Sequence, residues 1–478
     1  MLRDVVTKVS DGLLGFATEK GTGIFVDVGA SPVVSDGPVI ITGNMGVSKI
    51  RERLGLSPLA DSVMDAVENG ANRIYCLPMA ASVAGTVGEI KASRADGGTL
   101  TVEGSPNNAY GVIIKITGKG NLNTALFVYS IDGGYSFSDD ITVPVAGKYE
   151  IAGTGLTVTF TEAADSSDAA PSFLLDDSFS FATTAPQMSS ADALAAIDKL
   201  KTFSELYEFV HIIGESSAEM WAAVSAAQVE LEADYHKPLM FVLEAFVPNE
   251  GEKVEDYALR LEAARKQVKN RAIQVVAARA LYTKLDGTTR EQNCAGIVCG
   301  LYAKTNVQQS IGRTRDTAGM GIKKAKMAEL RPRGIEEYVE LLDAADFLTF
   351  REYDGLDDYF VTNARMMCPD GSDYRYAEDT RVLHKIIREV RKAALPLLKD
   401  DIDVTDTQGE LERRARYLEA PLDEMVRNQE ISDFEIVVPE GQDIIMTGKM
   451  RVIIRYISRG YIHEIEIDLG RANLSTTA

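Results

Sequence analysis

VSKIRERLGLSPLADSVMDAVENGANRIYCLPM spans residues 47–79 and carries the pattern of a helix followed by a strand. Ser57 is an N-cap residue type, Pro58 stands at the first helical position, and Gly70 closes the run. Leu59, Val63, Ala66 and Val67 recur at the spacing of one helical face. RIYCLPM (73–79) then returns as a strand. Upstream, GIFVDVG (23–29) and PVIITG (38–43) are short apolar runs bounded by Gly and Pro, the pattern of buried strands. Residues 24–85 therefore read as α/β.

The same alternation resumes over residues 186–350. SSADALAAIDKLKTF (189–203) reads as a capped amphipathic helix and YEFVHIIG (207–214) as a buried strand. A helix over 217–235, a strand over 237–246 and a long helix over 253–270 follow. Strands alternating with helices predict a largely parallel sheet. QNCAGIVCGLYAKT (292–305) reads as an apolar, strand-like run.

Residues 86–185 differ. Six strand-length runs are separated by turn signals such as Asp96-Gly97-Gly98 and Asp132-Gly133-Gly134, which predicts an all-β insertion. Five basic residues against twelve acidic ones suit a solvated, outward-facing module. Residues 351–440 read as a C-terminal core of helices and one strand. Residues 1–23 are too rich in Gly for a free-standing helix and read as an extended arm carrying Val5, Val6, Val9, Leu13 and Leu14.

The chain closes on MRVIIRYISRGYIHEIEIDLG (450–470). Val452, Ile454 and Tyr456 precede a turn at Ser458-Arg459-Gly460. Ile462 follows it, and Ile465, Ile467 and Leu469 then alternate with Glu464, Glu466 and Asp468. Period-two alternation predicts a hairpin over 441–478. A lone hairpin is marginal in water and its open edges invite another chain. Gly21, Gly23, Pro439 and Gly441 interrupt regular structure beside the arm and the hairpin, and are expected hinges.

Composition bounds the function. The 478 residues suggest about three domains. A hydrophobic fraction of 45% is ordinary for a globular chain, and a net charge of −21 disfavours a non-specific nucleic-acid binder. Four cysteines without a CxxC pair are too few for a disulfide scaffold. Neither a signal-peptide-like stretch nor a long apolar span occurs, so a cytosolic product that does not enter membranes is expected.

Chemical motifs are sparse. His211, His236, His384 and His463 lack metal-ligand spacing, and no cofactor or metal is expected. Lys119 in TGKGN lacks the glycine and the hydroxyl of a phosphate loop. Gly319 and Gly321 lack the third glycine of a dinucleotide fingerprint, and no GxSxG occurs. One stretch reverses the sign of the chain. Arg313, Arg315, Lys323, Lys324, Lys326, Arg331 and Arg333 stand against two acids. It reads either as a solvated face or as a docking surface for an acidic partner. No aromatic residue interleaves it for nucleic-acid stacking.

Four stretches in this order carry a family likeness: 47–79, 130–186, 355–394 with its Asn-Ala-Arg strand and "RV" helix, and 407–425 with 448–469. The chain resembles the tail-sheath proteins of contractile phage tails and related phage-derived contractile injection systems. Many members open with a Pro-Gly-Val-Tyr-like start that is absent here. The resemblance implies a multi-domain α/β sheath core with an all-β insertion domain and extended terminal arms. It implies a homo-oligomeric helical sleeve around an inner tail tube, built in the bacterial cytoplasm and contracting to drive the tube through an envelope. The implied partners are neighbouring sheath subunits, the tube, and baseplate and tail-terminator proteins, with no catalysis. It further implies that the C-terminal hairpin pairs with arms of neighbouring subunits, and it makes 313–333 a candidate tube-facing patch. A baseplate component of the same machine, or an enzyme on an α/β scaffold, are the competing readings.

Overall fold

The protein is described by a computed structural model covering residues 23–471, apart from 34, 36, 168 and 169 and the side chain of Asp316. Two compact units divide within it, one ending at His384 and the second beginning at Lys385. The first unit opens with β1 (Phe25–Ala30), β2 (Val39–Thr42), α1 (Val47–Leu54), α2 (Pro58–Glu68) and β3 (Arg73–Met79). Ser57 caps α2 by accepting the Ala60 amide at 3.1 Å, and Pro58 needs no hydrogen-bond partner at that end.

The insertion follows as eight strands: β4 (Lys91–Ala92), β5 (Thr99–Gly104), β6 (Gly111–Gly118), β7 (Leu126–Ser130), β8 (Ile141–Thr142), β9 (Lys148–Ile151), β10 (Leu156–Thr161) and β11 (Ser178–Ala182). They form a three-stranded sheet, β5-β10-β9, and a five-stranded sheet, β4-β11-β6-β7-β8. Alternate residues of β6, Val112, Ile114 and Ile116, enter a core of their own with Phe127, Phe160 and Phe173. The Phe127 and Phe160 rings lie 4.9 Å apart.

The chain then returns through α3 (Ser190–Thr202), β12 (Phe209–Ser216), α4 (Ala218–Ala233), β13 (Met240–Ala245), α5 (Val254–Arg265) and β14 (Ile273–Val276). These strands complete a six-stranded sheet ordered β14-β13-β12-β1-β3-β2, parallel except for the edge strand β2. β1 and β12, separated by the whole insertion, are neighbours in register, and Phe25 stacks on its partner Phe209 at 4.7 Å.

Two polar residues sit in the same register at the middle of this sheet. His211 Nδ1 lies 2.9 Å from Asp27 Oδ1, and both side chains are fully buried. Ser62 Oγ donates to Asp27 Oδ2 at 3.0 Å. Burial alone would lower the imidazole pKa, but Cys299 and Asp27 beside it push it well above its ordinary value.

The remainder of the first unit carries β15 (Arg279–Thr283), β16 (Thr289–Asn293), α6 (Ala295–Lys304), β17 (Ile322–Lys323), β18 (Met327–Arg331), α7 (Val339–Ala344), β19 (Phe350–Glu352), β20 (Asp358–Val361) and the start of α8 (Ala377–Ala394). The strand-like reading of 292–305 is corrected here: Ala295–Lys304 is a helix. Its residues are buried nearly all round, so the sequence shows no polar face to betray the helical period. Gly296 and Gly300 allow it to lie directly on α2. A Cβ at Gly300 would stand 2.6 Å from the Ala66 carbonyl oxygen, and one at Gly296 would stand 3.0 Å from that of Ser62.

The second unit holds the rest of α8, α9 (Thr407–Arg427), β21 (Asp433–Val437), α10 (Ile444–Thr447) and β22 (Ile453–Ile457). Leu411, Ala415, Leu418, Leu422 and Met425 form the buried stripe of α9. The expected separation of a 351–440 core from a 441–478 hairpin therefore differs from the observed division, because β21 already belongs with β22.

The close approach of α6 to α2 has a measurable consequence. Gly300→Val is expected to lower stability by about 1–3 kcal/mol through overpacking. Gly460→Ala, which meets open space, should stay within about 0.5 kcal/mol. Urea denaturation of both variants checks this.

Candidate assembly surfaces

The expected terminal hairpin is built differently. β22 pairs antiparallel with β21, in the register Asp433↔Ile457 to Val437↔Ile453, and not with the residues after Gly460. Glu435 and Arg455 face each other across this pair, with Arg455 Nη1 3.0 Å from Glu435 Oε2. No side chain of either strand is fully buried. Residues 458–471 carry no strand, and Ile462, Ile465, Ile467 and Leu469 are all exposed, Leu469 at 93%. Of the other predicted hairpin residues, Ile454 pairs with Ile436 and Tyr456 with Phe434, while Val452 lies just before β22. Pro439 and Gly441 fall inside the connection from β21 to β22, not ahead of the hairpin. Gly441 has φ +73.

The arm residues Val5, Val6, Val9, Leu13 and Leu14, and the hinge at Gly21, lie outside the described residues. Gly23 is within them, and its placement contradicts a free hinge. It is buried, has φ +77, and a Cβ there would stand 2.1 Å from the Ala303 carbonyl oxygen. Its amide donates to Glu208 Oε2 at 3.0 Å. Glu208 is in turn held by Arg381, whose Nε and Nη2 donate to its two oxygens at 3.2 and 3.1 Å. Both side chains are 1% exposed. Arg381 Nη2 also donates to the carbonyls of Tyr302 and Thr305, and the guanidinium lies 5.0 Å from the Tyr302 ring centroid. The first described residue after the arm and the helix leading to the second unit are thus fixed by one buried ion pair. The one local signal of this pair is an arginine set beside the apolar residues of the "RV" helix.

The Asn-Ala-Arg element has a local role. Asn363 Nδ2 and Arg365 Nη2 both donate to the Asp343 carboxylate, at 3.0 and 2.8 Å.

The basic stretch does not form a uniform cationic face. Lys323 pairs with Asp358 at 3.1 Å, Lys324 with Glu352 at 2.8 Å and Lys326 with Glu68 at 2.7 Å. Arg331 and Arg333 share Glu329. Acids distant in sequence fold onto the stretch and neutralise it. Arg313 and Arg315 are exposed and have no ion pair among the described residues. Among these residues no group of His, Cys, Asp and Glu is arranged to hold a metal, and the four cysteines are buried and free. No described helix is long and apolar enough to cross a membrane.

The described residues thus end in a two-stranded ribbon and an exposed segment in which Ile465, Ile467 and Leu469 alternate with acidic residues. The chain belongs to the DUF2586 family: residues 2–365 match its N-terminal domain and residues 373–476 its C-terminal domain. No curated protein matches the sequence. Solved structures share the fold over nearly the whole chain. A sheath tail protein of Desulfitobacterium hafniense is 14% identical with a TM-score of 0.50, covering 96% of this chain and 100% of its own. A chain of the anti-feeding prophage helical sheath in the contracted state is 12% identical with a TM-score of 0.51, covering 99% of both. A chain of the anti-feeding prophage baseplate in the contracted state is 13% identical with a TM-score of 0.53, covering 100% of this chain and 98% of its own. The fold is that of sheath tail proteins.

The arm-root pair can be tested directly. Arg381→Met is expected to cost about 3–5 kcal/mol, because it leaves the Glu208 charge buried and unpaired. Adding Glu208→Gln should recover part of that loss while keeping an acceptor for the Gly23 amide. Chemical denaturation of the single and double variants measures both.

Proposed function

We propose that this chain is the structural subunit of a contractile tail sheath. The observation that carries the reading is end-to-end likeness to a chain of a contracted helical sheath, with a TM-score of 0.51 over 99% of both chains. The subunits join head-to-tail into a helical sleeve, as a heterologous interface that does not close into a ring must do. The sleeve surrounds an inner tail tube and contracts to drive it through a target envelope. Contraction exchanges one set of subunit contacts for another while the terminal links hold. The energy resides in packing, and no cofactor or covalent catalysis is required.

The β21–β22 ribbon and the segment after Gly460 are the inter-subunit link. Its exposed Ile465, Ile467 and Leu469, with Ile462 ahead of them, supply the alternating side chains that set register when a strand is added to another copy. The arm residues Val5, Val6 and Val9 are the proposed strand from a neighbour. Each main-chain hydrogen bond contributes about 1 kcal/mol, so strength comes from repetition along the sleeve. Arg313 and Arg315 are the unpaired cations that remain for an acidic face of the tube, and the β insertion faces outward. Baseplate and terminator proteins cap the two ends.

A baseplate position is the second reading, favoured by the likeness to a chain of the contracted anti-feeding prophage baseplate. Electron microscopy separates the two. Purified full-length chain is expected to form rings that lengthen into sleeves. A chain ending at Ile457 should stay folded and monomeric. Closed rings that never lengthen select the baseplate reading. A full chain that remains monomeric at high concentration contradicts self-driven assembly. A shortened chain that assembles equally well removes residues 458–478 from the link.

A further inference from the structure

Lysine is seldom fully buried, yet the Lys284 side chain is 3% exposed, against Asp65 at 5%. Among the described residues, three ion pairs have both side chains this deeply enclosed: His211–Asp27, Arg381–Glu208 and Lys284–Asp65. Only the last joins a carboxylate to a cation that can lose its proton and become an amine nucleophile. Guanidinium does not deprotonate in proteins, and imidazole forms no stable amide.

The pocket is shaped around this pair. Lys284 lies just after β15, and Asp65 lies on α2. Lys284 Nζ stands 3.1 Å from Asp65 Oδ2, and Gln292 Nε2 donates to the same oxygen at 2.8 Å. The other carboxylate oxygen, Oδ1, is buried with no hydrogen-bond partner among the described residues, and so is Gln292 Oε1. Asp61, one turn earlier on α2, faces the same cluster. It is held by Arg290 Nη1 at 3.0 Å and Asn108 Nδ2 at 2.9 Å. Burial raises the Asp65 carboxyl to about 6, against the pull of Lys284 and with the help of Asp61. Asp61 itself stays below its ordinary value: burial opposes this, but Arg290 and Lys284 prevail.

We propose that Lys284 and Asp65 condense to an intramolecular isopeptide bond that cross-links α2 to the β15–β16 hairpin. A proton passes from Nζ to the Asp65 carboxylate, giving a neutral amine and a neutral acid. Nζ adds to Cγ, forming the C–N bond. The second Nζ proton is relayed by the Asp61 carboxylate to the departing hydroxyl, and the Cγ–Oδ1 bond breaks as water leaves. No oxidant or co-reactant enters. Fixed proximity supplies the driving geometry, since held reactants reach very high effective molarity. The product also fits the pocket's donors and acceptors. Oδ2 remains as the amide carbonyl accepting from Gln292 Nε2, the unpaired Oδ1 is expelled, and the remaining Nζ–H has Gln292 Oε1 as an acceptor. The bond would span 219 positions and enclose the entire β insertion in a covalent loop, independently of whether the chain forms a sheath.

Intact-mass spectrometry of the denatured full-length chain tests this without any variant. The expected mass is that of the sequence less one water. A tryptic digest should then contain residues 54–73 joined to residues 280–290, uncleaved after Lys284. Lys284→Arg keeps the ion pair, and should restore the sequence mass and separate the two peptides. Full sequence mass in the folded chain, with no joined peptide, would establish an ion pair only and overturn the proposal. So would a water loss that persists in Lys284→Arg, which would place it at a succinimide such as Asp286-Gly287.

Discussion

The buried Glu208–Arg381 pair ties the start of β12 to α8 at the heart of the first unit. Two charges have left water completely, so their attraction must be completed by further hydrogen bonds. The protein supplies them from three places: the Gly23 amide, the Tyr302 and Thr305 carbonyls, and the Tyr302 ring. The pair therefore joins three parts of the first unit: Gly23 just ahead of β1, the end of α6 at Tyr302 and Thr305, and the second turn of α8 at Arg381. Gly23, buried and hydrogen-bonded to Glu208, is not a swivel.

The surfaces follow a different logic. The chain carries a large negative charge, yet its basic stretch is largely neutralised by Glu68, Glu352, Asp358 and Glu329. What stands out instead is apolar. The last described residues present isoleucines and a leucine to solvent at period two, beside a two-stranded ribbon with no fully buried side chain. A ribbon of that size is marginal alone and is completed by additional strands. Under the proposed sheath function, main-chain pairing with another copy would satisfy both the open edges and the exposed alternation.

Much of this was legible in the sequence where the signals are local. Ser57 with Pro58, and Ser189 with Asp192, announce helix starts because capping acts over three residues. The strand-helix alternation pointed to the parallel sheet, and the Gly-rich turns to the run of strands between Lys91 and Ala182. Three features were not legible for physical reasons. Residues 295–304 lack a polar face because α6 is enclosed on all sides, so their period could not be read. The partner of β22 was misassigned because alternation identifies a strand but not what it pairs with, and β21 carries an equally good pattern. The neutralisation of the basic stretch, like the Glu208–Arg381 pair, joins residues far apart in the chain, and nothing near Arg381 names its partner.

In the proposed sleeve, residues 458–469 become a strand only when another copy of the chain binds. Hydrogen–deuterium exchange by mass spectrometry, on the dispersed chain and on the assembled form, tests it most directly. Rapid exchange of these amides is expected in the dispersed chain and strong, alternating protection after assembly, with β12 and β13 protected in both. Equal, rapid exchange of 458–469 in the assembled form would contradict it.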